Sequence, residues 1–367
     1  MTEWKEYKLG EITIEGKGSY GIAAPAVDYD INKYTYLRIT DINDDGTINK
    51  DSLKSVDDIN ASNYLLKPND IVFARTGASV GRSYFYDGKD GALVYAGFLI
   101  KFSLNPDKVN PKILKYYTHS QSYYDWIGSV DNGATRGNIN AQTYASMPII
   151  LPERKRQDEI VSILSSIDDK IDLLHRENKT LEAMAETLFR QWFIEEAKED
   201  WEEGKLGDLI EIKYGKDHKK LEDGKIPVIG SGGIMRYANT SLYDKESVLI
   251  PRKGSLNNVM YINKPFWTVD TMFYTKMLKP NTAKFVYHFM KGLDLANMNV
   301  GSAVPSMTTE VLNNIPIDIP PQDVFDKFEN HVGNLYRKME DNNKQIQTLI
   351  QQRDGLLPKL MSGEVKI

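Results

Sequence analysis

The sequence predicts an α+β protein built as a pseudo-twofold tandem repeat, with two globular α/β domains separated by a long antiparallel two-helix coiled coil. Apolar residues recur at alternating steps of four and three over residues 160–192 and again over 325–356. This is the heptad pattern of long helices that pack against each other. The second stretch keeps the phase of the first, and both halves open on similar phrases, WKEYKLGEITI and WEEGKLGDLIEI. A repeat on this scale indicates two equivalent units.

The domain boundaries follow from where the periodic stretches begin and end. The second long helix is expected to end before Pro358, because proline disfavours helical backbone in the residue that precedes it. The predicted segments are a first domain over 1–152, a long helix over 153–198, a second domain over 199–320, a second long helix over 321–357, and a tail over 358–367 that packs near the first domain.

Connectivity constrains how the two helices pair. The first helix leaves one domain and arrives at the other, so a pair of such helices must be antiparallel. About 33 residues at ~1.5 Å per residue place the domains ~50 Å apart. By symmetry, the opening phrase at 4–10 is expected beside the end of the second helix, as its repeat follows the end of the first.

The residues predicted to face the partner helix are mostly aliphatic. Asn178 and Asn342 interrupt this apolar series, and a buried asparagine at such a position usually fixes the register of paired helices at some cost in stability. We define the seam as the following residues: Leu164, Ile167, Ile171, Leu174, Leu181, Leu188, Val332, Leu335, Met339, Ile346 and Leu349.

Each half has strand and turn signals before its long helix. In the first half, residues 34–40 and 71–74 are rich in β-forming residues, and 111–124 predicts a helix that begins at a proline. The second half repeats the order, with a strand at 226–229, a tight turn at 230–233, a helix over 281–292 and, as at 147–152 in the first half, a short buried strand at 314–320 before the long helix.

Composition limits the class of protein. No apolar run reaches the ~20 residues that span a bilayer, cysteine is absent, and the first residues carry no secretory pattern, so a cytoplasmic location is expected. The formal net charge is −5 and the isoelectric point about 5.7. Any binding to nucleic acid must therefore rely on local basic patches.

No strong catalytic signature is present. The stretch from Gly77 to Gly81 is one residue short of a phosphate-binding loop and is followed by arginine instead of lysine. None of the five histidines are spaced as metal ligands. Glu211 and Lys213 match part of a nuclease site, although such triplets are common by chance. The sequence predicts no catalytic residue and no metal site, and a self-contained nuclease remains an alternative.

Binding signals are stronger, because each half has a strand that ends in a basic, glycine-containing turn. The two turns read ARTGASVGR and PRKGSLNN, and a dense basic run covers 213–220. Arginine presents a fork to guanine or phosphate, and hydroxyl groups suit phosphate oxygens. The predicted DNA-binding residues are Arg75, Thr76, Ser79, Arg82, Arg136, Lys213, Lys216, Lys219, Lys220, Arg252, Lys253 and Ser255.

These motifs, in their duplicated order, resemble the specificity subunits of type I restriction–modification systems. The resemblance covers essentially the whole chain. It rests on the two KLG openings, on ARTGASVG, on MPIILPERKRQDEI at the start of the first helix, on LFRQWF at its end, and on the ending LLPKLMSGE.

The resemblance implies a non-catalytic subunit with two target-recognition domains, each reading one half of a split double-stranded DNA target. The helices would set the gap between the half-sites and dock two adenine-methylating modification subunits. The ~50 Å spacing of the domains corresponds to ~15 base pairs of DNA, the right scale for two half-sites about one helical turn apart. Restriction subunits are possible further partners. No cofactor is expected in this chain, whereas S-adenosylmethionine, ATP and Mg are expected on the partner subunits. A coiled-coil scaffold that does not bind DNA is the main alternative.

Overall fold

The computed structural model describes residues 4–131, 138–298 and 305–365. It divides into two compact units. Unit 1 comprises Met1–Leu173 together with Gln345–Ile367, and unit 2 comprises Leu174–Lys344. Each unit therefore contains part of both long helices, because α4 (Arg154–Arg190) and α7 (Gln322–Ser362) both cross the division between units.

Unit 1 combines short strands with short helices. Its helices are α1 Lys112–Tyr117, α2 Gln121–Asp131 and α3 Ala141–Ala145, together with the adjoining parts of α4 and α7. Its strands are β1 Lys5–Lys8, β2 Ser19–Tyr20, β3 Ala26–Val27, β4 Tyr34–Leu37, β5 Lys54–Val56, β6 Asp70–Ala74, β7 Ser83–Tyr86, β8 Leu93–Tyr95, β9 Leu99–Ser103 and β10 Pro148–Leu151.

Unit 2 has the same kinds of element. Its short helices are α5 Ala283–Lys291 and α6 Thr309–Asn313. Its strands are β11 Glu202–Lys205, β12 Ile210–Tyr214, β13 Asp223–Gly230, β14 Gly233–Ala238, β15 Ser247–Pro251, β16 Met260–Ile262, β17 Trp267–Thr268, β18 Met272–Met277 and β19 Pro316–Ile319.

The two units share one sheet topology. In unit 1 a four-stranded sheet has the order β2-β9-β6-β7, and in unit 2 the order β12-β18-β15-β16 places equivalent strands in the same positions. The central strands β6 and β15 are buried along their whole length, as expected for strands covered on both faces. In each unit the opening strand also pairs antiparallel with the strand before the long helix, β1 with β10 and β11 with β19.

The second sheet is where the units differ. Unit 1 has four strands in the order β3-β5-β4-β8, whereas unit 2 has three in the order β14-β13-β17. Both contain one parallel pair, β4 with β8 and β13 with β17. The units therefore share a scaffold and differ in what is built on it.

The long helices pack into the core of each unit. In unit 1, Ile160 and Leu164 of α4 and Leu360 of α7 join a cluster with Phe73 of the central strand. In unit 2, Phe189 of α4 and Phe328 of α7 lie in one cluster with residues of β15. The rings of Phe189 and Phe328 are 6.3 Å apart in an edge-on arrangement, a favourable geometry for aromatic pairs.

Within unit 2 the two helices are antiparallel. Asn178 accepts a hydrogen bond from the side-chain amide of Asn342 at 2.9 Å, and just after the end of α4 the ring of Trp192 lies 5.0 Å from that of His331. The predicted seam breakers therefore contact each other, and Asn342 is only 1% exposed. Asn342 also donates to Glu177 at 3.0 Å, so its amide is satisfied although it is buried.

The helices of unit 1 pair in the same sense. Asp168 of α4 accepts from Arg353 at 3.3 Å and from Lys115 at 2.6 Å. Nearer the start of α4, Arg156 donates to the carbonyl of Val365. Burial alone raises the pKa of the Asp168 carboxyl, but Lys115 and Arg353 outweigh it, so the pKa lies below its usual value.

All seam residues lie buried or half-buried. Fully buried are Leu164, Ile171, Leu174, Val332 and Ile346; the half-buried members are Ile167, Leu181, Leu188, Leu335, Met339 and Leu349. Adjacent helix positions are largely exposed, as for a stripe at heptad spacing. The predicted α+β class, with two repeated units and two long helices in contact, is confirmed.

The predicted end of the second helix is wrong. Helix α7 continues through Pro358 to Ser362. Proline inside a helix costs about 3 kcal/mol, but Leu357 and Leu360 on either side are buried in the unit 1 core, and each buried leucine contributes about 1.5–3 kcal/mol. Tertiary burial outweighs the local preference, and the helix extends over much of the predicted tail.

Three other sequence expectations can be compared with the structure. The helix predicted over 111–124 is two short helices, α1 and α2, because the chain turns at residues 118–120. The first long helix, predicted over 153–198, spans Arg154–Arg190 and continues as a π-helical turn over Gln191–Glu195. The opening phrase lies beside the end of α7 as predicted, since a Cβ at Gly363 would be 3.0 Å from the Trp4 indole nitrogen.

In the parts of the chain that the structure describes, no helix combines the length and apolar character needed to cross a membrane.

Candidate nucleic-acid interface

In unit 1 the candidate site is organised around Arg75, the residue that follows the central strand β6. Its backbone N–H donates to the carbonyl of Phe98 at 3.1 Å, and its carbonyl accepts from the N–H of Ile139 at 2.9 Å. These two bonds fix the backbone of Arg75 at the end of the sheet. The arginine is held by secondary structure on both sides, so its side chain projects from a rigid position.

The side chain of Arg75 lies over an aromatic ring. Its guanidinium carbon is 4.9 Å from the ring centroid of Tyr20, within the range of a cation–π contact. Its Nε and Nη2 donate long hydrogen bonds of 3.4 and 3.3 Å to Oδ1 of Asn138. Tyr20 is 43% exposed. The stack is therefore open to solvent while one face of the guanidinium is covered.

Unit 2 repeats this arrangement. Arg252 follows the central strand β15, its N–H donates to the carbonyl of Thr271 at 2.8 Å, and its carbonyl accepts from Met307 at 2.9 Å. Its guanidinium carbon lies 5.7 Å from the ring centroid of Tyr214, which is 53% exposed. Arg75 and Arg252 therefore occupy equivalent positions, each stacked on a tyrosine from the equivalent edge strand.

Each stacking tyrosine is followed by a glycine that the fold requires. A Cβ at Gly21 would lie 2.2 Å from the carbonyl oxygen of Tyr95, and one at Gly215 would lie 2.0 Å from that of Val269. Neither distance is possible for a side chain, so only glycine permits this approach of the two backbones. The Tyr-Gly dipeptide recurs in both halves at the end of the equivalent strand, a sequence signal of the site that the basic turns alone do not reveal.

Two of the predicted DNA-binding residues are already paired with carboxylates. Arg82 donates to Asp44 at 2.7 Å, and Lys213 lies 2.6 Å from Glu211. A hydrogen bond from Lys213 lowers the pKa of Glu211, and the same bond raises the pKa of Lys213. Lys276 is 4.0 Å from the same carboxylate. Glu211 is thus held by two lysines, as expected for a surface ion pair.

The remaining predicted residues surround the two stacks or lie on the basic run. Thr76 forms an isolated β-bridge with Asn138, and Lys253 forms the equivalent bridge with Ser306. Ser79 is buried, whereas Ser255 and Lys216 are exposed. Lys219 and Lys220 are also exposed on the loop that precedes β13, and Arg136 lies outside the described residues.

The surfaces around the two arginines are different. In unit 1, Phe98 is 60% exposed beside Arg75. In unit 2, the turn between β13 and β14 reaches the loop after Arg252, since Asn258 donates from its side chain to the carbonyl of Ser231 at 2.8 Å. Exposed Met235 and Tyr237 follow on β14. The same cationic group is thus presented in two different settings.

The repeat and the two stacks define a duplicated α+β protein, in which each unit presents one arginine at the equivalent end of its larger sheet. The chain belongs to the type I restriction modification DNA specificity domain family, whose family model matches residues 1–183 and 198–347. The resemblance found in the sequence is thereby confirmed.

Individual relatives agree with this assignment. The chain is 24% identical over 304 residues to the type I restriction enzyme MjaIX specificity subunit of Methanocaldococcus jannaschii, covering 71% of this chain and 70% of the relative. It is 21% identical to the HindI specificity subunit of Haemophilus influenzae over the full length of both. The crystal structure of a type I S subunit from M. genitalium superposes with a TM-score of 0.59 at 19% identity, covering 98% and 96% of the two chains, which supports the fold.

Proposed function

We propose that this chain is the DNA-reading subunit of a type I restriction–modification complex, in which each unit reads one half of a split target. The observation that carries the proposal is the equivalent, solvent-accessible arginine stack at the same sheet edge in both units, in a chain of the DNA specificity family. Arginine is the side chain best suited to planar, bidentate contacts with guanine and phosphate.

The differences between the units support two different half-sites. The second sheet has four strands in unit 1 and three in unit 2, and the exposed apolar residues beside each stack are not the same. Sequence is read by side chains at base edges, whereas a common scaffold only positions them. The target is therefore asymmetric, with one half-site for each unit.

The long helices are proposed to set the gap between the half-sites and to dock two adenine-methylating modification subunits. This role is supported by the seam, whose residues are buried or half-buried on both helices, and by the hydrogen-bonded pair of Asn178 and Asn342, which would fix the register. The repeat offers two equivalent surfaces to two equal partners. Methyl transfer from S-adenosylmethionine, and any ATP- and Mg-dependent cleavage, belong to the partner subunits.

Exchange of one reading region tests the assignment of half-sites. Residues 199–320 are replaced by the corresponding segment of a family member with a known target, and the hybrid is expressed with the modification subunits of this chain. The methylated sequence is then mapped in cellular DNA. We expect one half of the motif to change and the other half, with the gap, to stay. The reciprocal exchange of residues 1–152 is the matched control and should change the other half only.

Two results would contradict the proposal. An unchanged methylated motif in both hybrids would favour a scaffold that does not read DNA. Metal-dependent DNA cleavage by the purified chain alone, lost in Glu211→Ala, would favour a nuclease built on Glu211 and Lys213.

A length change tests the proposed role of the helices separately. Insertion of seven residues into both helices, at the level of Asn178 and Asn342, preserves the heptad phase and lengthens each helix by about 10 Å. At 3.4 Å per base pair the gap should grow by about 3 base pairs while both half-sites keep their sequence. A methylated motif with an unchanged gap would refute this role.

A further inference from the structure

The two arginine stacks share more than their position on the sheet. In each unit the arginine is followed two residues later by a glycine in the left-handed region, Gly77 with φ of 72° and Gly254 with φ of 86°. Such φ values favour glycine. The backbone therefore turns at the glycine, two residues after the arginine, and both units have the same Arg-x-Gly turn at the end of the central strand.

The two guanidinium groups are available for an anion. Among the residues that the structure describes, neither Arg75 nor Arg252 forms an ion pair, whereas Arg82 on the same turn as Arg75 is paired with Asp44. A tyrosine under the guanidinium covers one face and restricts the side chain, but it leaves the in-plane N–H edges uncovered. In Arg75 the Nε–Nη2 edge makes only the two long bonds to Asn138, of 3.4 and 3.3 Å, and a charged acceptor is a stronger partner than that neutral amide oxygen. An in-plane guanidinium edge matches two oxygens of one phosphate group.

The surroundings of the two arginines argue against a role in reading bases. Asn138, which contacts the guanidinium in unit 1, is replaced by Ser306 at the equivalent bridge in unit 2, and Thr76 is replaced by Lys253. Residues that read different half-sites should differ between units, as these neighbours do. A residue that is the same in both units should contact a feature that both half-sites have, and the phosphate backbone is such a feature.

We propose that Arg75 and Arg252 each bind a backbone phosphate of DNA, and that Tyr20 and Tyr214 are the platforms that orient them. The stacks then supply a sequence-independent contact common to both units, while the side chains around them select the bases. This inference rests on the proposed function, because it requires that the chain binds DNA.

The test measures affinity as a function of salt concentration for two duplexes. The full chain, assembled with its modification subunits, is titrated with a duplex that carries the target found by methylation mapping, and with an unrelated duplex. Arg75→Ala and Arg252→Ala should each weaken binding to both duplexes by a similar factor. Each should also reduce the steepness of log affinity against log salt by about 0.9. The ratio of unmodified to variant affinity should therefore be about eightfold larger at 0.1 M salt than at 1 M salt.

Three variants serve as controls. Arg154→Ala removes an exposed arginine of α4 that is paired with Asp158, and it should leave affinity and slope unchanged. Tyr214→Phe keeps the ring under Arg252 and should bind as the unmodified chain does. Tyr214→Ala removes that platform and should weaken binding to both duplexes with little change in slope. Unchanged circular dichroism and melting temperature show that each variant is folded.

The outcomes separate this inference from the proposed function. If Arg75→Ala weakens only the target duplex and relaxes the methylated motif at one base, the arginine reads a base and the inference is wrong. Unchanged affinity and slope in both arginine variants would also overturn it. If the unmodified assembly binds neither duplex, the proposed function itself fails.

Discussion

Leu174 and Leu173 provide a direct test of the helix pairing, because they are adjacent on one helix and differ in exposure. Leu174 is 1% exposed on the seam, whereas Leu173 is 47% exposed. Leu174→Asp removes the burial of a leucine, which contributes about 1.5–3 kcal/mol. It also forces the new carboxyl to be neutral at pH 7, about three units above its ordinary pKa, which costs about 4 kcal/mol at 1.36 kcal/mol per unit.

The expected loss for Leu174→Asp is therefore about 6 kcal/mol, comparable to the whole stability of many domains. Leu173→Asp introduces the same group one residue away and should change stability by about 0.5 kcal/mol or less. Leu335→Asp should fall between the two, since Leu335 is only half-buried. Urea unfolding followed by circular dichroism at 222 nm measures all three.

The pH dependence has a definite sign. The part of the Leu174→Asp penalty that comes from keeping the buried carboxyl neutral, about 4 kcal/mol, should shrink as the pH falls towards the ordinary pKa of aspartate near 4, whereas the part that comes from lost leucine burial should remain. Equal unfolding midpoints for the Leu174→Asp and Leu173→Asp proteins at pH 7 would refute the pairing of the seam.

Three further predictions concern polar groups inside the units. Asn342→Leu should destabilise by about 1–3 kcal/mol because it leaves Oδ1 of Asn178 without its donor. Adding Asn178→Leu should recover most of that loss in urea unfolding, and a double variant as unstable as the single one would contradict this. Burial lowers the pKa of His288 from 6.5 to about 4, so its neutral imidazole adds about 3 kcal/mol to the free energy of unfolding above pH 6.5, and this stability is lost as the pH falls to about 4. His288→Gln keeps a hydrogen-bond partner for Tyr336 and should make the melting temperature less dependent on pH over this interval. An unaltered pH profile would contradict the assignment. Asp168→Asn removes the carboxylate that pairs with Lys115 and Arg353 and should destabilise by about 2 kcal/mol at pH 7. Because the pKa of Asp168 is lowered from 3.8, the difference from the unmodified chain should begin to shrink only below that pH and should be lost as the pH falls through the lowered pKa. A difference that does not shrink in acid would show that packing, not charge, is responsible.

The sequence was most informative where many residues report on one feature. The long helices follow from heptads that run over 160–192 and 325–356, because one polar residue at a seam position barely weakens so long a pattern. Their antiparallel pairing follows from the order of the domains and helices along the chain. The repeat was equally visible, since the strands before the two long helices, Pro148–Leu151 and Pro316–Ile319, are separated by the same number of residues as the two heptad patterns. The end of α7 was not predictable, because Pro358 is a strong local signal that the burial of Leu360 overrides.

The site was predicted only in part, because its contacts join residues distant in the sequence. Arg75 and Arg252 were recognised from their turns, but their platforms, Tyr20 and Tyr214, come from other strands of the sheet. The pairing of Arg82 with Asp44 is likewise invisible in the sequence, since nothing local brings the two together. Matching the two halves strand by strand exposes the recurring tyrosine, whereas searching for basic runs does not.

The most direct test of the account is a map of methylated adenines in DNA from cells that carry this chain with its modification subunits. The account predicts one bipartite motif, with two dissimilar specific halves and a gap of fixed length that is free of sequence preference. A single contiguous motif, two identical halves, or a methylation pattern that is the same without this chain would contradict it.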